Sequence, residues 1–216
     1  MKTIPGIRVL IWDFDGTLYR QQSGLLDNIR WTEIKVIQHH TGWTEEKAKE
    51  EFYKLYNVET PSGTKATAIL SNISNKQASI ETSHLTDYPK YLTKDRRLID
   101  IFARLTDYKH YMLVNGSQES VSRGSALLGI DLSVFTEIVT SELVGETKPG
   151  KKGFTYIMQQ TGLPAAAHLM IGDREAVDLT PAKALGMHTC LVWSNAKSDV
   201  ADVTLPTVYG VPDVLG

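Results

Sequence analysis

The sequence predicts an α/β protein, a parallel sheet with helices on both faces and a helical insert after the first strand. Three observations carry that expectation. Short apolar runs recur with helix-periodic segments between them. The first run, Val9-Leu10-Ile11-Trp12, ends abruptly in Asp13-Phe14-Asp15-Gly16-Thr17. One long stretch, residues 20–94, breaks the alternation. Strands alternating with helices argue for a parallel sheet, and ligands bind such sheets beyond the carboxyl ends of the strands.

The elements follow in order. Residues 8–13 read as a strand buried on both faces. In the insert, Thr44 is a helix N-cap with Glu45 and Glu46 in the first turn, where the helix dipole favours them. Ala48, Phe52, Leu55 and Tyr56 form one apolar face. Residues 59–86 are rich in Ser, Thr and Asn and read either as more helix or as a flexible linker. After the insert, Asp95 caps a helix whose Leu98, Ile101, Phe102 and Leu105 recur at helical spacing. Tyr111–Val114, Glu137–Thr140, Leu169–Gly172 and Thr189–Trp193 are further strands. Gly129 and Gly162 close the helices that carry Val121, Leu127 and Leu128, and Phe154, Ile157 and Met158. Lys148-Pro149 starts a helix, with Pro holding the lysine extended. Pro181 suits the first turn of a last helix and Gly186 its end.

Asp13 and Asp15 sit where the first strand stops. Two acids there repel each other in a low-dielectric setting, and the usual compensation is a divalent cation with oxygen ligands. A carboxylate beside a metal is also a nucleophile. An EF-hand is excluded, because the glycine falls at the fourth position and Gly24 occupies the twelfth. A second strand, Leu169–Gly172, ends in Asp173, and Asp178 follows as either an N-cap or a further ligand. Val114-Asn115-Gly116-Ser117 ends another strand before a helix, where free backbone N–H groups form an anion site. With Lys148, these residues supply what phosphoryl transfer to a carboxylate needs.

Composition narrows the classes. The chain has 216 residues, 42% of them hydrophobic, and a formal net charge of −2. That charge gives no electrostatic case for nucleic acid or an anionic membrane. Cys190 is the only cysteine, so no internal disulfide forms, and its strand context reads as a buried inert thiol. Pro5 and Gly6 follow one N-terminal lysine, unlike a signal peptide. No apolar run approaches the roughly 18 residues a membrane span needs. The expectation is a cytoplasmic protein, monomeric or weakly dimeric, with neither nucleic-acid nor membrane partners.

These motifs resemble the haloacid dehalogenase (HAD) superfamily from residue 7 to the C-terminus. Asp13-Phe14-Asp15-Gly16-Thr17 is similar to its first motif, Lys148-Pro149 to its third, and Gly172-Asp173 with Asp178 to its fourth. Ala201–Leu205 and Val211–Leu215 are similar to its last strand and final helix. The resemblance implies a Rossmann-like core over residues 1–19 and 95–216 with a helical cap over 20–94. The cap is the least matched part, and Leu18-Tyr19 is loosely similar to a pyrimidine-nucleotidase-like branch. Carried over, the resemblance makes Asp13 the nucleophile that becomes a phospho-aspartate. Asp15 protonates the leaving oxygen and then activates water. Mg²⁺ is held by Asp13, the Asp15 carbonyl and Asp173, with Asp178 direct or through water. Lys148 steadies Asp13 and the phosphate, and Asn115, Gly116 and Ser117 complete the phosphate site. The implied activity is Mg²⁺-dependent hydrolysis of a small phosphorylated metabolite.

The second motif departs from the family. It ordinarily carries Ser or Thr where this chain has Val114, or Asn115 if one gap is allowed. A lost hydrogen bond to a charged group costs about 1.5–3 kcal/mol, which bears on rate more than on reaction class. The rival readings are a phosphomutase, a receiver-like phospho-acceptor and a degenerate binding module. Dehalogenation and phosphonate hydrolysis are disfavoured by Asp15. Tyr19, Arg20, Gln21, Trp31, Trp43 and Tyr56 are the insert's candidates for lining a pocket. His39 and His40 read as exposed helix-end residues.

Overall fold

The apolar runs fold into one parallel sheet. The computed structural model describes residues 3–215. Its strands are β1 (Val9–Trp12), β2 (Lys109–Val114), β3 (Phe135–Thr140), β4 (His168–Gly172), β5 (His188–Leu191) and β6 (Val203–Thr204). Their order is β3-β2-β1-β4-β5-β6, and every pairing is parallel. β1 lies between β2 and β4, with Leu10 opposite both His110 and Leu169. All of β1 is buried, because helices cover both faces. Leu10 and Trp12 join one core with Leu98, Phe102 and Val121, while Val9 and Ile11 join the other with Phe154 and Ile157.

The chain steps from β1 to β2 to β3 in one direction, then returns to the other side of β1 for β4. The crevice of such a sheet opens at this reversal, beyond the carboxyl ends of the two strands. Asp13 follows β1 and Asp173 follows β4, so the topology alone brings the two acids together.

Between β1 and the core helices lies the insert, with α1 (Leu25–Thr41), α2 (Glu45–Val58), α3 (Gly63–Ser71), α4 (Asn75–Leu85) and α5 (Tyr88–Tyr91). Ile34, Ile37, Ala48, Phe52 and Ala66 give it an apolar centre of its own. The core continues with α6 (Arg96–Arg104), α7 (Gln118–Leu128), α8 (Ser141–Val144), α9 (Lys152–Thr161) and α10 (Thr180–Lys183). Thr44 caps α2 by accepting from the Lys47 N–H, and Asp95 caps α6 by accepting from Arg97 and Leu98. Gly129 and Gly162 close α7 and α9 in the left-handed conformation.

Three local expectations need correction or resolution. The Ser/Thr-rich tract is helical, forming α3 and α4, and not a linker. Its small polar residues are buried, Thr67, Ser71, Ser79, Thr82 and Ser83 among them, so helices pack closely without large apolar side chains. Thr32 of α1 and Thr86 share a buried hydrogen bond of 3.1 Å. The helix expected at Lys148-Pro149 begins instead at Lys152, after a turn containing a cis Lys148–Pro149 bond. Asp178 is no N-cap either; it sits in a π-helical turn, Glu175–Leu179, with its side chain wholly buried.

Candidate active site

Asp13, Asp173 and Asp178 converge beyond the strand ends, each offering a carboxylate oxygen within 4.8 Å of the others. Lys148 reaches into this group from the α8–α9 connection. Its Nζ lies 2.6 Å from Asp13 Oδ1 and 2.7 Å from Asp178 Oδ1, and all three side chains are almost fully buried. The turn after β4 places Asp178, whose Oδ2 accepts from the Arg174 N–H at 3.2 Å. Gly172 makes room for it, since an added Cβ would stand 2.5 Å from Asp178 Cβ. Gly16, at φ +87°, does the same for Asp173, whose Oδ2 would be 2.6 Å from a Cβ. The Thr17 hydroxyl lies between two acids, 3.1 Å from Asp13 Oδ2 and 3.3 Å from Asp173 Oδ1. Gln21 Nε2 donates to the other Asp173 oxygen.

Crowding like charges out of water raises carboxylate pKa values. Burial and the neighbouring charges of Asp13 and Asp178 push Asp173 up to about 7. Asp178 is also raised by burial, against the pull of Lys148. Burial alone would lower Lys148, but Asp13 and Asp178 outweigh it and hold the ammonium charged. One lysine therefore faces three acids, an excess of negative charge made entirely of oxygen donors. Such a set suits a hard divalent cation.

Asp15 stands apart from the cluster, facing the cleft. Its Oδ1 accepts from the Tyr19 hydroxyl at 2.6 Å. Burial raises its pKa, and the nearby Asp13 charge adds to that, against the Tyr19 bond.

The β2–α7 turn carries the next three predicted residues, and it uses them differently from one another. Asn115 turns its amide onto the backbone of Lys148, donating to the carbonyl at 3.0 Å and accepting from the N–H at 2.7 Å. Both amide groups are thus committed to protein. Ser117 caps α7 by accepting from the Ser120 N–H. No backbone carbonyl among the described residues accepts from the N–H groups of Gly116 or Asp15. Val114 is buried in the apolar layer that contains Trp12 and Val121.

Above Asp15 the cleft encloses about 280 Å³ between core and insert. Gln21 and Tyr56 line it, as do Arg30, Glu33 and Arg174. Arg30 pairs with Glu33 at 2.6 Å and lies 4.8 Å above the Tyr56 ring.

A family model described as haloacid dehalogenase-like hydrolase matches residues 7–186. The chain belongs to this family. Within it, a segment of 68 residues is 37% identical to glyceraldehyde 3-phosphate phosphatase of Methanocaldococcus jannaschii, covering 32% of this chain and 30% of that protein. A segment of 63 residues is 41% identical to pyrimidine 5'-nucleotidase YjjG of Escherichia coli K12, covering 29% of this chain and 27% of that one. The matches thus span less than a third of either curated relative. Among solved structures, a HAD phosphatase from Thermococcus onnurineus aligns with TM-score 0.68 at 21% identity, covering 97% of this chain and 98% of that one. L-2-haloacid dehalogenase from Xanthobacter autotrophicus aligns at 0.62 with 13% identity, covering 96% and 97%. These two likenesses establish the fold.

The fold brings together Asp13, Asp173, Asp178 and Lys148, with Asp15 beside them on the cleft side. Of the insert's candidates, Tyr19, Gln21 and Tyr56 reach the site. Arg20 stacks on Trp193 instead, Trp31 is half exposed, and Trp43 packs within the insert under Lys47. His39 and His40 are exposed at the end of α1. Sequence reading missed Thr17, Arg30, Glu33 and Arg174. Glu33 did leave a signal. It falls on the α1 stripe of Leu25, Ile29, Thr32 and Val36, all buried, where a charge needs a partner. Arg30, one turn earlier, is that partner. No helix among the described residues is long and apolar enough to cross a membrane.

Proposed function

We propose that the protein is a Mg²⁺-dependent phosphomonoester hydrolase acting through a phospho-aspartate on Asp13. The observation that carries this reading is the second carboxyl, Asp15, two residues after Asp13, kept on the cleft side with its pKa raised by burial. A carboxyl whose pKa is raised holds its proton more readily, which is the direction a general acid needs. Dehalogenation leaves Asp15 without a role.

The oxygen-only donor set fits Mg²⁺. Asp13, Asp173 and Asp178 would hold it, with the Asp15 carbonyl. When bound, the ion offsets the charge that phosphate and Asp13 would otherwise bring against each other. Asp13 attacks phosphorus while Asp15 gives its proton to the departing alkoxide. Asp15, now a carboxylate, takes a proton from the water that attacks the phospho-aspartate, releasing phosphate and restoring Asp13. Lys148 pairs with Asp13 and aims it, and it neutralises charge on the phosphoryl oxygens. With Asn115 committed to Lys148 and Val114 to the core, the remaining donors for those oxygens are backbone N–H groups, Gly116 among them, and the Ser117 hydroxyl. The substrate is a small phosphorylated metabolite held under the insert, which serves as a cap.

Phosphate release from p-nitrophenyl phosphate and a panel of phosphate esters tests the reading. Turnover is expected with Mg²⁺, to be lost in excess EDTA and restored by Mg²⁺. Asp13→Asn should abolish it without changing the thermal midpoint greatly. Undiminished turnover in EDTA, or in Asp13→Asn, would overturn the proposal.

A further inference from the structure

We propose that the group leaving phosphate carries a second anion, a carboxylate or another phosphate, and that Arg174 binds it. This rests on the hydrolase reading above and names the substrate class that reading leaves open. Arg174 follows Asp173 at the end of β4, yet its side chain runs away from the acids and into the insert. Nη1 lies 3.2 Å from the Pro61 carbonyl and 3.4 Å from the Tyr56 hydroxyl. Arg30 approaches the same hydroxyl from the other side, with Nη2 at 3.4 Å. Two guanidinium groups therefore converge on one phenol oxygen at the wall of the cleft.

Their charges are compensated unequally. Arg30 has its carboxylate in Glu33. Among the described residues Arg174 has no ion-pair partner, and its side-chain hydrogen bonds all come from Nη1. Its Nε and Nη2 groups are left with no protein acceptor in a half-buried position. Of the acids nearest it along the chain, Asp178 is engaged by Lys148 and Asp173 by Gln21 and Thr17, and Glu175 makes no ion pair with it among the described residues. The first turn of α3 adds to the same wall through Ser62, Gly63 and Thr64, bringing the positive end of a helix dipole. The wall opposite the catalytic acids thus holds one guanidinium with donors to spare. A planar fork of that kind matches a carboxylate or phosphate. An ester with a neutral alcohol would leave those donors unmet, the arrangement that gives a polar pocket its selectivity.

The test compares matched esters with the wild-type enzyme and Mg²⁺. One pair is 2-phosphoglycolate against 2-hydroxyethyl phosphate, which differ by a carboxylate. The other is propane-1,3-diol bisphosphate against its monophosphate, which differ by a phosphate. At least one pair should favour the member with the second anionic group in kcat/KM by about tenfold or more, the worth of a charged hydrogen bond, mainly through KM. The pair that does so tells carboxylate from phosphate. Arg174→Gln should bring that ratio toward one, and Arg174→Lys should retain part of it. The ratio isolates recognition, since damage to the neighbouring acids slows both members equally. Equal rates within both wild-type pairs would overturn the inference while p-nitrophenyl phosphate turnover still upheld the hydrolase reading. A preference unchanged in Arg174→Gln would also overturn it. Failure to release phosphate from any ester would remove the hydrolase reading itself, and the inference with it.

Discussion

Asn115 grips the backbone of Lys148 through both atoms of its amide, at 3.0 Å to the carbonyl and 2.7 Å from the N–H. The side chain read from the sequence as a phosphate ligand is thereby a clamp on Lys148. Lys148 arrives on a connection with no strand or helix of its own, and its Nζ must meet Asp13 and Asp178 at once.

Asn115→Ala should therefore act through Lys148. Two partly buried hydrogen bonds are lost, each worth about 1 kcal/mol net, so the thermal midpoint falls. The kcat should fall more than KM changes, because the lysine loses its aim at Asp13. Asn115→Asp keeps the acceptor for the Lys148 N–H and should be milder toward that contact while losing the donor. Steady-state kinetics with p-nitrophenyl phosphate decide it. Full activity in Asn115→Ala would show that Lys148 is held by something else.

Val114→Thr tests the departure in the second motif. If Val114 faced phosphate, a hydroxyl there would raise the rate. The valine is instead packed in the apolar layer beside Trp12. A hydroxyl placed there without a partner costs about 1–3 kcal/mol. The expected result is a lower thermal midpoint with little change in kcat/KM. A clear gain in kcat/KM would mean that the side chain reaches the phosphate after all.

How far the sequence could be read depends on whether a signal is local. β1 and β4 announce themselves because Val9–Trp12 and Leu169–Ile171 are unbroken apolar runs on a sheet buried on both faces, and each gives way to an acid, Asp13 or Asp173, just past the strand's end. Asp95 and Thr44 are legible as caps because capping is settled within one turn. Asp178 was ambiguous, since a buried acid and an N-cap look alike until Lys148 is seen 30 residues away in the chain. The α3–α4 tract was ambiguous for a different reason. Its helices bury hydroxyls and alanines, so the usual apolar stripe is faint. Arg174 carried no sequence signal of its direction, because only the insert, folded over it, gives that side chain something to meet.

Two buried histidines make stability depend on pH. His110 accepts from Trp12 Nε1 at Nδ1, 3.1 Å, and donates from Nε2 to the Leu105 carbonyl at 2.9 Å. His168 donates from Nδ1 to the Pro164 carbonyl at 3.0 Å and meets the Thr161 hydroxyl at Nε2. The Trp12 donor requires a neutral His110 ring, and burial lowers both histidine pKa values from 6.5. The unfolded chain then binds protons more readily than the folded one below about pH 6.5, so stability falls as pH drops through that range. Asp173, raised to about 7, acts with the opposite sign, so the comparison must be between variants. A His110→Gln, His168→Gln protein should melt well below wild type at pH 7.5, and the gap should narrow by pH 5.5. A gap independent of pH would show that the rings do not resist protonation.

Asp15→Asn decides whether the second acid does the work assigned to it. Asparagine keeps the size of the side chain and an acceptor for Tyr19, whose hydroxyl lies 2.6 Å from Asp15 Oδ1, so the fold should survive. What it removes is the proton. General acid–base catalysis contributes about 10²–10⁴ in rate, and the loss should grow as the leaving group becomes a poorer one. A p-nitrophenolate leaves with little help, whereas an alkoxide needs protonation as the bond breaks. The measurement is kcat/KM for a series of aryl and alkyl phosphates in wild type and variant, plotted against leaving-group pKa. A steeper dependence in Asp15→Asn identifies Asp15 as the donor. Parallel lines would mean that the proton comes from elsewhere, and that Asp15 serves only to shape the loop over Asp13.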